Sequence, residues 1–299
     1  MDLLFALLLD RLAGEPARFH PLVGFGILAE KIEARLNKGR ESTPFSRGIF
    51  AWLIAVVPVT FIVYQLNHMT GGIWLSVLFG WLAIGWRSLR EHGQAVARAL
   101  ASNDLHQARI KTSYLVSRDT SELGETALSK ATIESLLENG NDAIIAPIFW
   151  LLVLGAPGVV FYRLCNTLDA MWGYHNSRFE NFGKFTARVD DLLNYVPARM
   201  TALLYVLTGH SQQAWKAWQT QGNHWYSPNA GPVMASGAGA LSLRIGGDAV
   251  YHGTVKSRIE LGFGKQPAVT DIARAIQLVD RSVYLVTAIV IATIVIMNS

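Results

Sequence analysis

The sequence predicts an all-α, polytopic integral membrane protein with helical cytoplasmic segments and a re-entrant helical hairpin, built as a single domain over residues 1–299. Three observations carry this. Only 16% of the residues are charged, against about 25% in soluble domains, and the mean hydropathy is +0.26. Residues 48–86 run for 39 positions without Asp, Glu, Lys or Arg. Residues 143–162 are also uncharged, but the stretch is interrupted by Gly-Ala-Pro-Gly at 155–158.

Taken in order, residues 1–9 are apolar. Asp2 stands where a signal peptide needs a basic start, and no cleavage pattern follows. The segment is therefore expected in a membrane-embedded helix. A crossing of the hydrocarbon core takes about 20 residues, so 48–66 and 71–86 read as two spans joined by the turn NHMTGG. Arg40 and Arg47 precede them and Arg87 and Arg90 follow. Positive residues remain cytoplasmic, so this pair should enter and leave from the cytoplasm. Residues 87–142 are polar and helical in pattern. Within them ALSKATIESLLENG reads as amphipathic, with Leu128, Ala131, Leu136 and Leu137 on one face. Asp119 and Glu122 are placed to cap its start.

In 143–162, Gly and Pro break the helix near its middle. Two short arms folded back on each other are expected, which keeps the flanking polar segments on one side. Residues 200–209 are briefly apolar. Residues 210–281 are polar and contain the Gly-rich GPVMASGAGALSLRIGG. Residues 282–299 carry no charge after Arg274 and Arg281 and read as a final span with the C-terminus outside. The net charge of +4 comes without a Lys/Arg run, which assigns the surplus to cytoplasmic loops and gives no nucleic-acid surface. The lone Cys165 forbids an internal disulfide and a thiolate metal site. It reads as packing.

Against this apolar background the ionisable groups cluster. On ESLLENGND, Glu134 and Glu138 share a helical face that Asn141 and Asp142 extend. Carboxylates so spaced can hold a hard cation such as Mg²⁺, although Lys130 is also placed to pair with Glu134 on a solvated face. In 166–201, Asn166 and Asp169 share a face, as do Asp191 and Asn194, with Asp190 adjacent. Arg178, Arg188 and Arg199 are interspersed and Asn176 lies beside them. Acids gather Mg²⁺ and guanidiniums clamp phosphate or carboxylate, a mixture suited to phosphoryl or acyl-phosphate chemistry; a mutual ion-pair network is the plainer reading. His175 is a candidate base or cobalt ligand, against a structural histidine. Arg118, in SRDTSELGE, is placed to bind an anion. Ser227 and Asn229, in SPNAG, make a tight turn with room for close approach. Asp10 and Arg11 close the first apolar stretch, where an ion pair is the bland alternative. No G-x-x-x-x-G-K-[ST], G-x-G-x-x-G, H-E-x-x-H or G-x-S-x-G occurs.

The segments DRLAGEP…HP, SRDTSEL, ESLLENGNDAIIAPIFW, GAPGVVFYRLCNTLDAMWGYHNSRFENFGKFTARVDDLLNYVPAR and SPNAG…GALSLRIGG occur in that order. Together they resemble the adenosylcobinamide-phosphate synthases of cobalamin (vitamin B12) biosynthesis, from about residue 7 to residue 255. The resemblance implies a multi-span enzyme of the cell inner membrane with its site on the cytoplasmic side. It implies an ATP- and Mg²⁺-driven amide bond between adenosylcobyric acid, the corrinoid substrate, and (R)-1-aminopropan-2-ol O-phosphate or ethanolamine phosphate. On that chemistry Asp190, Asp191, Asp169 and Arg188 are the expected catalytic set. Mg²⁺ is assigned to Asp191, Asp169 and Glu138. Arg118, Asp119, Glu134, Glu138, Asn139, Asp142, Asn166, His175, Asn176, Arg178, Asn194, Arg199, Ser227, Asn229, Asp10 and Arg11 are expected to line substrate and nucleotide. Membrane lipid surrounds the chain, and a homo-oligomer or a B12-pathway assembly is left open. Trp172 departs from the small or polar residue expected there, which bears on substrate contacts more than on the reaction.

The main alternative is a Mg²⁺-dependent CDP-alcohol phosphotransferase or prenyltransferase. Those enzymes want D-G-x-x-A-R with spaced acids, whereas here Ala170 follows Asp169 and Asp190 and Asp191 are adjacent. A non-enzymatic sensor or transporter component leaves the dense carboxylate and arginine set unexplained.

Overall fold

The computed structural model describes residues 1–16, 20–39, 43–69, 71–174, 176–251 and 254–298. Its elements are overwhelmingly helical, and they fall into two compact units, each assembled from separate stretches of chain. The first comprises 1–85 and 142–194, the second 86–141 and 195–299.

In the first unit, α1 (Asp2–Ala13) packs on α4 (Ile73–Ala83), while α2 (Pro21–Leu36) and α3 (Phe45–Met69) pack on α8 (Ala146–Trp172). The start of α9 (Lys184–Thr208) completes it. α3 buries Gly48, Ala51, Trp52, Ala55 and Val56 and exposes Phe50, Leu53, Ile54, Val57 and Phe61. Small residues inside and large apolar ones outside is the pattern of a helix that packs on protein and faces lipid. Gly48 has a specific reason: a Cβ there would stand 2.1 Å from the Phe182 carbonyl oxygen. Trp172 is buried against Phe182, ring centroids 5.1 Å apart, and Cys165 is buried in the same core. Both are packing residues.

The second expected span is corrected. α4 has 11 residues, about 16 Å of helix, half of what a crossing needs. Its amino end is set by Gly71 and Gly72, both at positive φ, and it stops at Ile84 in an extended conformation. Among the described residues three stretches are long and apolar enough to cross a membrane: α3, the continuous 125–172 run, and α12 (Val269–Asn298).

The middle stretch does not cross as one rod. α7 (Glu125–Gly140) passes through a single π-helical turn, Asn141–Ile145, into α8. At Gly155 the backbone leaves the helix, with φ 64° and ψ −150°. The Tyr162 hydroxyl then lies 3.0 Å from the Asp142 carbonyl oxygen. A straight helix would hold those residues about 30 Å apart, so the chain reverses. Beyond the turn, a Cβ on Gly158 would sit 2.6 Å from the Trp150 carbonyl oxygen. This is the hairpin the Gly-Ala-Pro-Gly break predicts, entering and returning on one side. The Ser76 hydroxyl accepts the Ala156 N–H at 3.2 Å and so satisfies part of the backbone freed at the turn. Gly155 occupies a region open essentially to glycine alone. Gly155→Ala should cost about 1–3 kcal/mol and lower the thermal unfolding midpoint in detergent; an unchanged midpoint would show that the turn tolerates a side chain.

In the second unit, α5 (Trp86–Ala101), α6 (Leu105–Ser113), α7 and α12 pack together, and α10 (Ser211–Gln221) packs on α11 (Ala230–Leu241). Two short antiparallel ribbons follow: β1 (Ile245–Gly246) with β4 (Glu260–Leu261), and β2 (Ala249–Tyr251) with β3 (Thr254–Lys256). Two expectations change here. α7 is not a half-exposed helix: Ser129, Thr132, Glu134 and Ser135 are buried along with Leu128, Ala131, Leu136 and Leu137. Asp119 does not cap it, because the N-cap is Gly124; Asp119 accepts the Ser121 N–H at 2.9 Å, a local turn. The last span begins earlier than its uncharged segment, since α12 is one 30-residue helix from Val269.

Candidate functional site

The reversal at Gly155 lays the second arm of α8 beside the chain that enters the first, and α9 adds a third side. Asp190 lies at the centre, 9% exposed. Asn166, from the second arm, donates Nδ2 to its Oδ1 at 3.3 Å; Asn194, one helical turn on, donates Nδ2 to its Oδ2 at 3.0 Å. The Oδ1 of Asn194 is itself 3.0 Å from the Tyr162 hydroxyl, so the amide is oriented by a buried tyrosine. Arg163 donates Nη1, at 3.4 Å, to the Asp142 carbonyl oxygen and to Asn166 Oδ1.

Asp142, Asp169 and Asp191 stand near enough to act on one another through space: Asp190 feels Asp142 and Asp191, and Asp169 feels Asp190 and Asp191. Burial raises the Asp190 pKa to about 7, and repulsion by Asp142 and Asp191 pushes the same way against the two amide donors. α9 is outside the three membrane-length stretches. A buried carboxylate whose hydrogen bonds among the described residues come from neutral amides, with other acids near it, is an arrangement that accepts either a proton or a cation. Among the described residues no three His, Cys, Asp or Glu side chains stand at metal-ligating spacing. Mg²⁺ asks for less from protein: one or two carboxylates, with water and phosphate oxygens completing its shell. This donor set, all carboxylate and amide oxygen, fits that requirement.

A second cluster lies in the other unit. Glu134, 3% exposed, takes a salt bridge from Arg118, two weaker contacts from Arg258 Nη2 at 3.3 and 3.5 Å, and the Gly246 N–H at 2.7 Å. Lys130 donates instead to the Gly246 carbonyl oxygen at 2.8 Å. Through this one carboxylate Gly246 of β1 and Arg258 are tied to α7. Arg258 also covers the Trp225 ring, 5.2 Å from its centroid.

The remaining expected residues are placed as follows. Arg178 forks onto Glu33, Nε to Oε1 at 3.1 Å and Nη2 to Oε2 at 2.6 Å. Its guanidinium, its proton held more tightly by that hydrogen-bonded carboxylate, ties the 176–183 loop to α2. Asn176 Oδ1 accepts the N–H groups of Arg178 and Phe179 and shapes the same loop. Arg188 is exposed one turn before Asp191. Arg199 reaches Asn229 Oδ1 at 2.8 Å and the Pro228 carbonyl at 3.1 Å, and Ser227 Oγ accepts the Asn229 and Ala230 N–H groups at the start of α11. SPNAG is thus a pinned turn. Asn139 bonds back to Ser135, Glu138 is half-buried, Asp10 is buried and Arg11 is exposed at the end of α1. His175 lies outside the described residues. Of the expected metal trio, Asp169 and Asp191 belong to the first unit and Glu138 to the second. Sequence reasoning passed over Tyr162, Arg163 and Arg258. The first two had a signal, being the polar groups that end the uncharged run; Arg258 had none.

Comparison with known proteins decides the family: the CobD/Cbib protein family matches residues 3–279. The chain belongs to that family. It is 51% identical over 280 residues to the cobalamin biosynthesis protein CobD of Stutzerimonas stutzeri, covering 93% of this chain and 92% of the relative. The Chromobacterium violaceum protein of the same name is 50% identical over 300 residues, covering 98% and 96%. That of Mycobacterium tuberculosis is 36% identical over 287 residues, covering 93% and 90%. No solved structure matches the chain. Membership in the CobD/Cbib family brings with it a role in cobalamin biosynthesis and a membrane setting, in keeping with the lipid-facing pattern of α3.

Proposed function

We propose that the chain joins adenosylcobyric acid to (R)-1-aminopropan-2-ol O-phosphate, or ethanolamine phosphate, in an ATP-dependent ligation that yields adenosylcobinamide phosphate, ADP and phosphate. The observation that carries this is Asp190, buried among Asp142, Asp169 and Asp191 with only neutral amides on its oxygens. In a family of cobalamin biosynthesis, that cluster suits a reaction that handles both nucleotide phosphates and a proton.

A carboxylate does not condense with an amine unaided. Its oxygen attacks the terminal phosphorus of ATP, the bond to ADP breaks, and an acyl phosphate forms. The amine nitrogen then attacks the acyl carbon, phosphate leaves, and the nitrogen gives up a proton. Mg²⁺, when bound, supplies charge neutralisation at the nucleotide phosphates, and Asp169, Asp191 and Asp142 are the residues that would hold it. Asp190 is assigned the proton: its affinity, raised by burial and by its acidic neighbours, suits a base that must accept and then release near neutral pH. Asn166 and Asn194 keep its two oxygens in place. Arg188, exposed one turn from Asp191, is assigned to the incoming phosphate as a steering charge. Arg118 and Arg258 are occupied by Glu134 and are assigned to structure first. We assign the site to the cytoplasmic side of the inner membrane, the side favoured by Arg47 in the first turn of α3. Family membership leaves the phosphotransferase alternative without support.

Detergent-purified protein given adenosylcobyric acid, aminopropanol phosphate and MgATP should release corrinoid product and ADP in equal amounts. Chelation of divalent metal should stop both. Product formed without ADP would refute activation by phosphorylation.

A further inference from the structure

The first unit holds a cavity of about 410 Å³ between α2, α3, α4 and the second arm of α8. Its wall is aliphatic and aromatic, with Phe25, Leu28, Val59, Ile62 and Phe79 among the lining residues. Two polar residues interrupt it, His20 and Arg163. The His20 Nδ1 accepts the Leu22 N–H at the start of α2, which leaves the proton on Nε2. That Nε2 is buried and makes no hydrogen bond among the described residues, and the same holds for Nε of Arg163. Buried donors are nearly always satisfied. Two side chains that each carry an unsatisfied buried donor line an otherwise apolar cavity, which suits a ligand with an apolar body and an oxygen acceptor.

The position of the cavity narrows the class. Val59, Ile62, Val63 and Leu66 lie in the second half of α3, one of the membrane-length helices, and Ile62 and Leu66 are exposed on its surface. The cavity therefore opens toward the lipid. A corrinoid rimmed by polar amides does not match an aliphatic wall; an acyl chain does. One of the two donors is a permanent cation, so the acceptor it favours is anionic. We propose that this cavity is a binding site for an anionic phospholipid, one acyl chain lying between α2 and α3 and a phosphate oxygen meeting Arg163 and His20. Arg163 also contacts Asn166 and the Asp142 carbonyl, so an occupied site would steady the hairpin arm that carries Asn166 and Asp169.

The probe is dioleoyl phosphatidylglycerol added to delipidated full-length protein in detergent and followed by native mass spectrometry, a readout that needs no turnover and so stands or falls apart from the reaction proposed above. One phosphatidylglycerol per chain should be retained about tenfold more tightly than phosphatidylcholine, the worth of a charge-assisted hydrogen bond. Gly24 also lines the cavity, and a Cβ there meets nothing within 4 Å, so Gly24→Phe adds bulk at this wall and should abolish retention. Arg163→Gln should keep a lipid but lose the preference for phosphatidylglycerol. If Gly24→Phe does not fold, Ile62→Trp fills the same space from the opposite wall. Equal retention of the two lipids by the unmodified protein would overturn the proposal. So would retention undiminished in the filled variants, or displacement of the lipid by adenosylcobyric acid.

Discussion

Asp190→Asn should lower amide-forming turnover by about 10²–10⁴-fold, the usual worth of a positioned general base, while leaving the protein as stable as before or slightly more so. The two halves of this expectation come from one fact. Asp190 is a buried carboxylate near other acids, and among the described residues its hydrogen bonds come from the amides of Asn166 and Asn194. Removing its charge relieves repulsion from Asp142 and Asp191, which favours folding. The same substitution takes away the buried carboxylate oxygens that are assigned the proton. Sites kept for chemistry at the expense of stability behave in this way. The measurement is turnover beside the thermal unfolding midpoint. Retained turnover would remove Asp190 from the reaction, and a large drop in midpoint would make it a structural residue. Asp191→Asn, at a half-buried position, is expected to lose turnover chiefly through weaker dependence on Mg²⁺, seen as a shift in the metal concentration needed.

Glu134→Ala should do the reverse and unfold the second unit before it touches chemistry. The carboxylate neutralises Arg118 and Arg258, whose side chains are 8% and 6% exposed. Deleting it leaves two guanidiniums and the Gly246 N–H buried without their acceptor, and breaking a buried pair from one side costs about 3–5 kcal/mol. Glu138→Ala, one turn further along the same helix and half-buried, serves as the control and should stay within about 1 kcal/mol. Thermal unfolding in detergent separates the two. Equal midpoints for both variants would mean that the cluster contributes nothing to the fold.

These two acids show how far the sequence could be read. Glu134 and Glu138 look equivalent on a helical wheel, and the sequence offers Lys130 as the local partner. The structure sends Lys130 to a backbone carbonyl and brings Arg258 to Glu134 from 124 residues away. Arg178 was grouped with the phosphate-binding arginines because it lies among acids and amides. Its partner is Glu33, 145 residues earlier, on a helix that gave no reason to be noticed. By contrast, Asn166, Asp190 and Asn194 all stand out in the 166–201 stretch and do meet, although spacing pairs Asn166 with Asp169 and Asn194 with Asp191; two of the three lie one turn apart on a single helix and the third sits on the arm beside it.

What the sequence determined by itself is what depends on local composition. An uncharged run long enough to cross a bilayer cannot hide its chemistry, so α3 and the end of α12 are visible in one dimension. A Gly-Ala-Pro-Gly break in such a run has few ways to keep its backbone satisfied, so the hairpin at Gly155 was visible too. Tertiary structure alone decided where helices stop for lack of room, as in α4, whether a patterned helix has any exposed face, as in α7, and which distant cation meets which acid. Those outcomes depend on packing between segments far apart in the chain, and the energy of a buried pair is set by the surroundings that packing creates and not by the residues that form it.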